Sequence, residues 1–205
     1  MGIFSKLFGS PEEKKAKRII QKAKRGAREK RTPLDDLGLA IIKASQDCTD
    51  QMKPVLDMMK NELADVIVFH EFLYFFMHLA NRSAFTQLTE RQHRELQKFL
   101  SSLISPVAIN IFIDCPDEVK DKMRNEFYEN LNNAEVEYSA SKELFSKANP
   151  LTGDSLFSKL ARNVTEVSGN DNNPAVLMQV LSSSVKAYTS LQLELLVKNA
   201  GAVLQ

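Results

Sequence analysis

The stretch Val66–Ala80 constrains this chain most. It runs for 15 residues with only His70, Glu71 and His78 as side chains that can carry a charge near neutral pH. A membrane span needs about 20 consecutive apolar residues with few or no charges. This run is too short and too polar for that. A helix that is apolar almost all round must instead be covered by protein on every side. The remaining sequence then has to supply the covering helices.

It contains the signals for doing so. From Pro116 onward, Val119, Met123, Phe127, Leu131, Ala134, Tyr138, Ser141 and Phe145 recur at steps of three or four. Leu177, Leu181, Ser184, Tyr188, Leu191 and Leu195 do the same. Both patterns place one stripe on one helix face. No segment alternates with period two for long enough to be a strand. Helix starts are written into Ser10-Pro11, Thr32-Pro33, Asp114-Cys115-Pro116 and Asn173-Pro174, where proline is tolerated because its missing N–H would have had no intrahelical partner. Thr89-Glu90-Arg91-Gln92 has the spacing of a capping box. With only 7 Gly and 7 Pro, the chain is poor in the residues that frequent β-turns demand. The fold class expected is all-α: a bundle of about six helices around a central apolar one, over 34–47, 54–84, 90–112, 116–147, 153–167 and 174–199. Pro54 and Pro106 are expected to start or kink their helices. A further helix over 11–30 lies in a basic N-terminal arm.

That arm is chemically distinct. Residues 1–31 hold 11 Lys/Arg against 3 Glu, a net of +8, and the overall formal charge of +1 leaves −7 for residues 32–205. The division expected is therefore a basic amphipathic arm over 1–31 and one helical domain over 32–205. Ile3, Phe4, Leu7 and Phe8 can form an apolar foot on one short turn. Behind it, Lys14, Lys15, Lys17, Arg18, Lys22, Lys24, Arg25 and Arg28 surround a narrow stripe of Ala and Ile. A basic helix with an aromatic foot suits an anionic membrane face or an acidic protein. Nucleic acid is the weaker candidate, because no aromatic between Phe8 and Phe69 offers a stacking platform. A second copy of the chain is a further candidate partner. Met1-Gly2 opens like a myristoylation signal, but Lys6 stands where that pattern requires Ser or Thr. Cys48 and Cys115 have no metal-ligand spacing and read as free thiols of a reducing compartment. The location expected is cytoplasmic, with peripheral membrane attachment through the arm.

The apolar run carries a thin polar line. At about 100° per residue, Glu71, His78 and Arg82 fall within roughly 40° of one another, with Tyr74 about 60° to the side. Tyr138 and Tyr188 lie on core-facing stripes of other helices, as do Ser141 and Ser184, and can converge on the line. Two readings compete. In one, the tyrosine hydroxyls satisfy Glu and His in a structural network that fixes helix register. In the other, Glu71, Tyr74, His78, Arg82, Tyr138 and Tyr188 line a pocket for a small polar or anionic ligand, anchored by Arg82. The network is favoured. A metal centre is not expected: His70-Glu71 begins like HExxH, but Tyr74 stands where the second His must be. The Glu-x-x-His pattern of carboxylate-bridged di-iron bundles fails at the same residue. Glu71 and His78 are also two turns, about 10.5 Å, apart along the axis. His93 sits among charges on a helix expected to be exposed. No phosphate loop, GxSxG or Cys-His constellation is present. The expectation is a non-enzymatic binding or interaction protein without cofactors, with a ligand sensor or enzyme built on the polar line as the rival.

Overall fold

A computed structural model describes residues 31–56, 64–110, 117–145, 154–171 and 173–204. The basic segment 1–30, with its expected helix and contact residues, lies outside the described residues, as does Cys115. Seven α-helices and no strand occur among the described residues. They are α1 (Pro33–Leu56), α2 (Ala64–Gln87), α3 (Glu90–Asn110), α4 (Asp117–Ser139), α5 (Leu156–Val167), α6 (Pro174–Leu191) and α7 (Leu193–Gly201).

The start signals work as their chemistry requires. The Thr89 amide donates to Gln92 Oε1 at 3.1 Å, and the Gln92 amide donates back to Thr89 Oγ1 at 3.4 Å. That reciprocal pair opens α3. The Gln92 side chain then donates to the carbonyls of Gly201 and Leu204, at 3.1 and 2.9 Å. It thereby holds the C-terminal end of α7 on the start of α3. Asn173 caps α6 by accepting from the Ala175 amide at 3.0 Å, with Pro174 in the first turn. Ser155 caps α5 through the Ser158 amide.

Three boundaries differ from the periodicity. Residues 48–53 continue α1, and Pro54 lies inside it, near its end, so it neither starts nor separates a helix. The helix of the apolar run accordingly begins at Ala64. A proline there forfeits one intrahelical bond close to the terminus, where few turns remain to be disturbed. Pro106 likewise sits inside α3. The C-terminal stripe breaks at Gln192, whose φ of 48° is left-handed, and the chain restarts as α7. This break makes seven helices among the described residues where about six were expected. Finally, α4 ends at Ser139, and Ser141 to Glu143 have no regular secondary structure. The apolar spacing through Phe145 persists past the end of the helix because Phe145 stacks on Phe157 of α5, with ring centroids 4.4 Å apart.

Thirteen of the 24 residues of α2 are buried. It packs against α1, α3, α4, α5 and α7. Phe69, Phe72, Phe75 and Phe76 are fully inaccessible. They share one side of the helix, but the unbroken buried run Phe72–Ala80 turns through the whole circumference, so no single neighbour can cover it. Phe75 meets Phe157 at 5.0 Å and Tyr138 at 5.5 Å in edge-to-face geometry, which joins α2 to α5 and α4. On the other side, α1 approaches α3 closely at Gly38: a Cβ there would stand 2.3 Å from Leu103 Cδ2. The residues from Pro33 onward form one compact unit. Phe75→Ala would leave a cavity at the meeting of three helices. It should lower unfolding stability by about 3–5 kcal/mol in urea titration, with the helical circular dichroism signature retained.

Candidate functional site

The polar line divides into separate clusters, each tied to a different neighbour of α2. The first centres on Glu71. The Tyr138 hydroxyl of α4 donates to Glu71 Oε1 in a short hydrogen bond, and Asn163 Nδ2 of α5 donates to the same oxygen at 3.1 Å. Asn163 also reaches Glu137 at 3.1 Å. Tyr138 is fully buried. Burial pushes the Glu71 carboxyl above the usual carboxylate range, against the lowering effect of the two donors. Burial also raises the Tyr138 phenol, and the charge of Glu71 adds to the effect. The phenol therefore stays protonated and remains a donor.

The second cluster links α2, α3 and α4. His78 is 4 % exposed, and its Nδ1 donates to Glu135 Oε2 at 2.9 Å. Asn81 Nδ2 donates to the other oxygen, Glu135 Oε1. Asn81 Oδ1 in turn accepts from His93 Nε2 and, at 2.7 Å, from Gln97 Nε2. His93 is thus half-buried and engaged, not the exposed surface residue that its charged surroundings suggest. Its Nε2 carries the proton, since the partner is a carbonyl oxygen. His78 Nε2 finds no partner among the described residues. The His78 ring lies 5.6 Å from that of Tyr138, so the two clusters meet at this contact.

Arg82 belongs to neither cluster. Its guanidinium donates to the carbonyls of Ser141 at 2.9 Å and Lys142 at 2.6 Å, just beyond the end of α4. A cation at a helix C-terminus satisfies orphan carbonyls and complements the helix dipole. Arg82 forms no ion pair among the described residues.

Tyr74 stacks on His70 at 6.0 Å and tilts against Phe127 at 5.4 Å. Its phenol is raised mainly by burial, with an Asn130 hydrogen bond opposing the shift. Tyr188 lies with Phe157 and Phe145 in an aromatic group, at 5.7 and 6.5 Å. Ser184 bonds back to the Val180 carbonyl of its own helix at 2.7 Å. Of the six residues read as one pocket, the structure joins Glu71, Tyr138 and His78, and places Tyr74, Arg82 and Tyr188 among other partners. Cys48 is a buried free thiol, pushed up to about 12 by burial. No group of three or more potential metal ligands occurs among the described residues.

A half-open cavity of about 430 Å³ lies against the second cluster, between α2, α3 and α4. Met77, Leu96, Leu100 and Leu131 give it an apolar floor, and Asn81, His93, Gln97 and Glu135 give it a polar wall. None of the six sequence-derived residues lines it. Asn163, Glu135, Asn81, His93 and Gln97 were not foreseen. Glu135 had one available signal: it adjoins Ala134, which is on the core stripe of α4.

Comparison of the chain with family models, curated proteins and solved structures gave no match.

Three outcomes are expected. Tyr138→Phe removes a donor from a buried carboxylate and should cost about 1–3 kcal/mol in urea titration at neutral pH. Glu71→Gln keeps an acceptor for Tyr138 and Asn163 while removing the charge. Because the folded state raises the Glu71 pKa, the stability of its neutral form is full below the ordinary carboxylate range and is lost as pH rises through the raised value. The Gln variant should therefore be the more stable protein at neutral pH, with the advantage shrinking as pH falls. A pH series of denaturation midpoints checks the sign. Arg82→Ala should cost about 1–2 kcal/mol, the scale of a partly exposed charged hydrogen bond and not of a broken buried ion pair.

Proposed function

We propose that this chain is a non-enzymatic helical binding protein whose basic segment 1–31 docks on an anionic surface, with an anionic membrane face preferred over an acidic protein. The observation that carries the reading is the charge separation: +8 within 31 residues, against −7 on the remainder. Each Lys or Arg close to an anionic leaflet is worth about 1 kcal/mol. Ile3, Phe4, Leu7 and Phe8 would add insertion of apolar side chains beside that charge. The stripe behind them is mostly alanine and offers little area to bury, so at about 25 cal/mol per Å² the segment gains little from packing as a core helix.

The state of the polar line supports the non-enzymatic half of the reading. Glu71 accepts from two side chains, and Arg82 is occupied by backbone carbonyls. The groups that would have to receive a substrate already serve helix-to-helix contacts. No helix among the described residues is long and apolar enough to cross a membrane, so attachment through the segment would be peripheral.

Vesicle co-sedimentation tests this. The full chain should bind vesicles containing anionic phosphatidylserine at low salt, release them as salt rises, and ignore purely zwitterionic vesicles. Deleting residues 1–31 should abolish binding and leave the melting temperature nearly unchanged. Indifference of the full chain to anionic vesicles at low salt would overturn the membrane reading. A large loss of thermal stability on deletion would make the segment an ordinary structural helix.

A further inference from the structure

The cavity between α2, α3 and α4 is independent of the basic segment, and its chemistry is specific. Its wall holds one carboxylate, Glu135, whose side chain is one-third exposed. Two donors fix that carboxylate in place, the Asn81 amide on one oxygen and the His78 ring on the other. Asn81 cannot turn away, because its own oxygen accepts from both His93 and Gln97. The carboxylate is thus pre-positioned by a chain of side chains from three helices. Each of its oxygens accepts one bond and retains a further lone pair. No Lys or Arg pairs with it among the described residues. The only other charged lining group is Lys98, which is exposed and forms no ion pair with Glu135.

Beneath this anion lie Met77, Leu96, Leu100 and Leu131, with the Tyr128 ring beside them. The Tyr128 hydroxyl contacts Ser105 at 3.3 Å, away from the Glu135 end. A cavity of this size, with an apolar floor and a few fixed polar groups, has the composition of a small-molecule site. From this juxtaposition we propose that the cavity binds a small organic cation, an ammonium or amidinium group on an apolar body, with the positive group on Glu135 and the body on the leucine floor. An anionic ligand would meet the carboxylate, and a purely apolar one would desolvate the remaining lone pairs of Glu135 without compensation. The buried His78 contributes by holding Glu135 through Nδ1; it is a positioning residue and not a contact for the ligand.

Three near-isosteric probes separate the possibilities: benzamidine, benzamide and benzoate, titrated into the full ¹⁵N-labelled chain. Benzamidine should give saturable amide shifts confined to residues around the cavity, such as Asn81, Gln97, Ser101 and Asn132. Benzamide should bind about tenfold more weakly, the equivalent of one charge-assisted hydrogen bond. Benzoate should not saturate. Glu135→Gln keeps an acceptor oxygen for Asn81, while its amide can donate to His78 Nδ1 in the other tautomer, and it should bring benzamidine down to the level of benzamide. Lys98→Met removes a competing positive charge from the rim and should tighten benzamidine binding. Ser101→Trp, at a half-buried lining position, should close the cavity to all three probes without loss of helical signal. Equal affinity for the three probes, shifts linear to the highest concentration, or benzamidine binding unaffected by Glu135→Gln would each overturn the proposal.

Discussion

The architecture depends on the need to cover one helix on all sides. Every residue of α2 from Phe72 to Ala80 is buried, a run that turns through the whole circumference, so one neighbour cannot remove it from water. Five other helices pack on it, and each contributes apolar side chains to the same core. The hydrophobic effect alone would leave those neighbours free to rotate and slide, because it is non-directional. The polar atoms on α2 remove that freedom. Glu71 ties it to α4 and α5 through Tyr138 and Asn163, and His78 and Asn81 tie it to α4 through Glu135. Arg82 fixes where the chain leaves α4. A slip of any of these helices by one residue would leave a buried polar group without its partner, which costs more than the bond contributes when made.

This division of labour explains what the sequence made legible. The all-helical class followed from spacing at three and four residues and from the caps, and Thr89–Gln92 and Asn173-Pro174 form the bonds their residue types imply. The internal break at Gln192 was not legible. Glutamine carries no preference for a left-handed φ, and the apolar stripe runs through it. The end of α4 at Ser139 was hidden for the opposite reason: Phe145, though exposed, still stacks on Phe157 after the helix has ended.

The polar line was visible as a line but not as its partnerships. Angular spacing on one helix locates Glu71, His78 and Arg82 on a common face. Partners come from other helices, at sequence separations of 57 for His78–Glu135 and 92 for Glu71–Asn163. No local pattern encodes such pairs. Tyrosines on core stripes gave Tyr138 correctly as a neighbour of Glu71, since a buried phenol needs an acceptor. Tyr188 makes its ring contacts with Phe145 and Phe157 and is reached from the line by the charge of Arg82.

The central claim is that Glu71 and Tyr138 act together to fix α2 against α4. A double-mutant cycle tests it most directly, with Glu71→Leu, which leaves Tyr138 no acceptor, Tyr138→Phe and the double variant unfolded in urea at neutral pH. Residues joined by a buried hydrogen bond should show a coupling free energy of about 0.5–3 kcal/mol. Additive single effects, with coupling indistinguishable from zero, would contradict the account and leave the two side chains as independent neighbours.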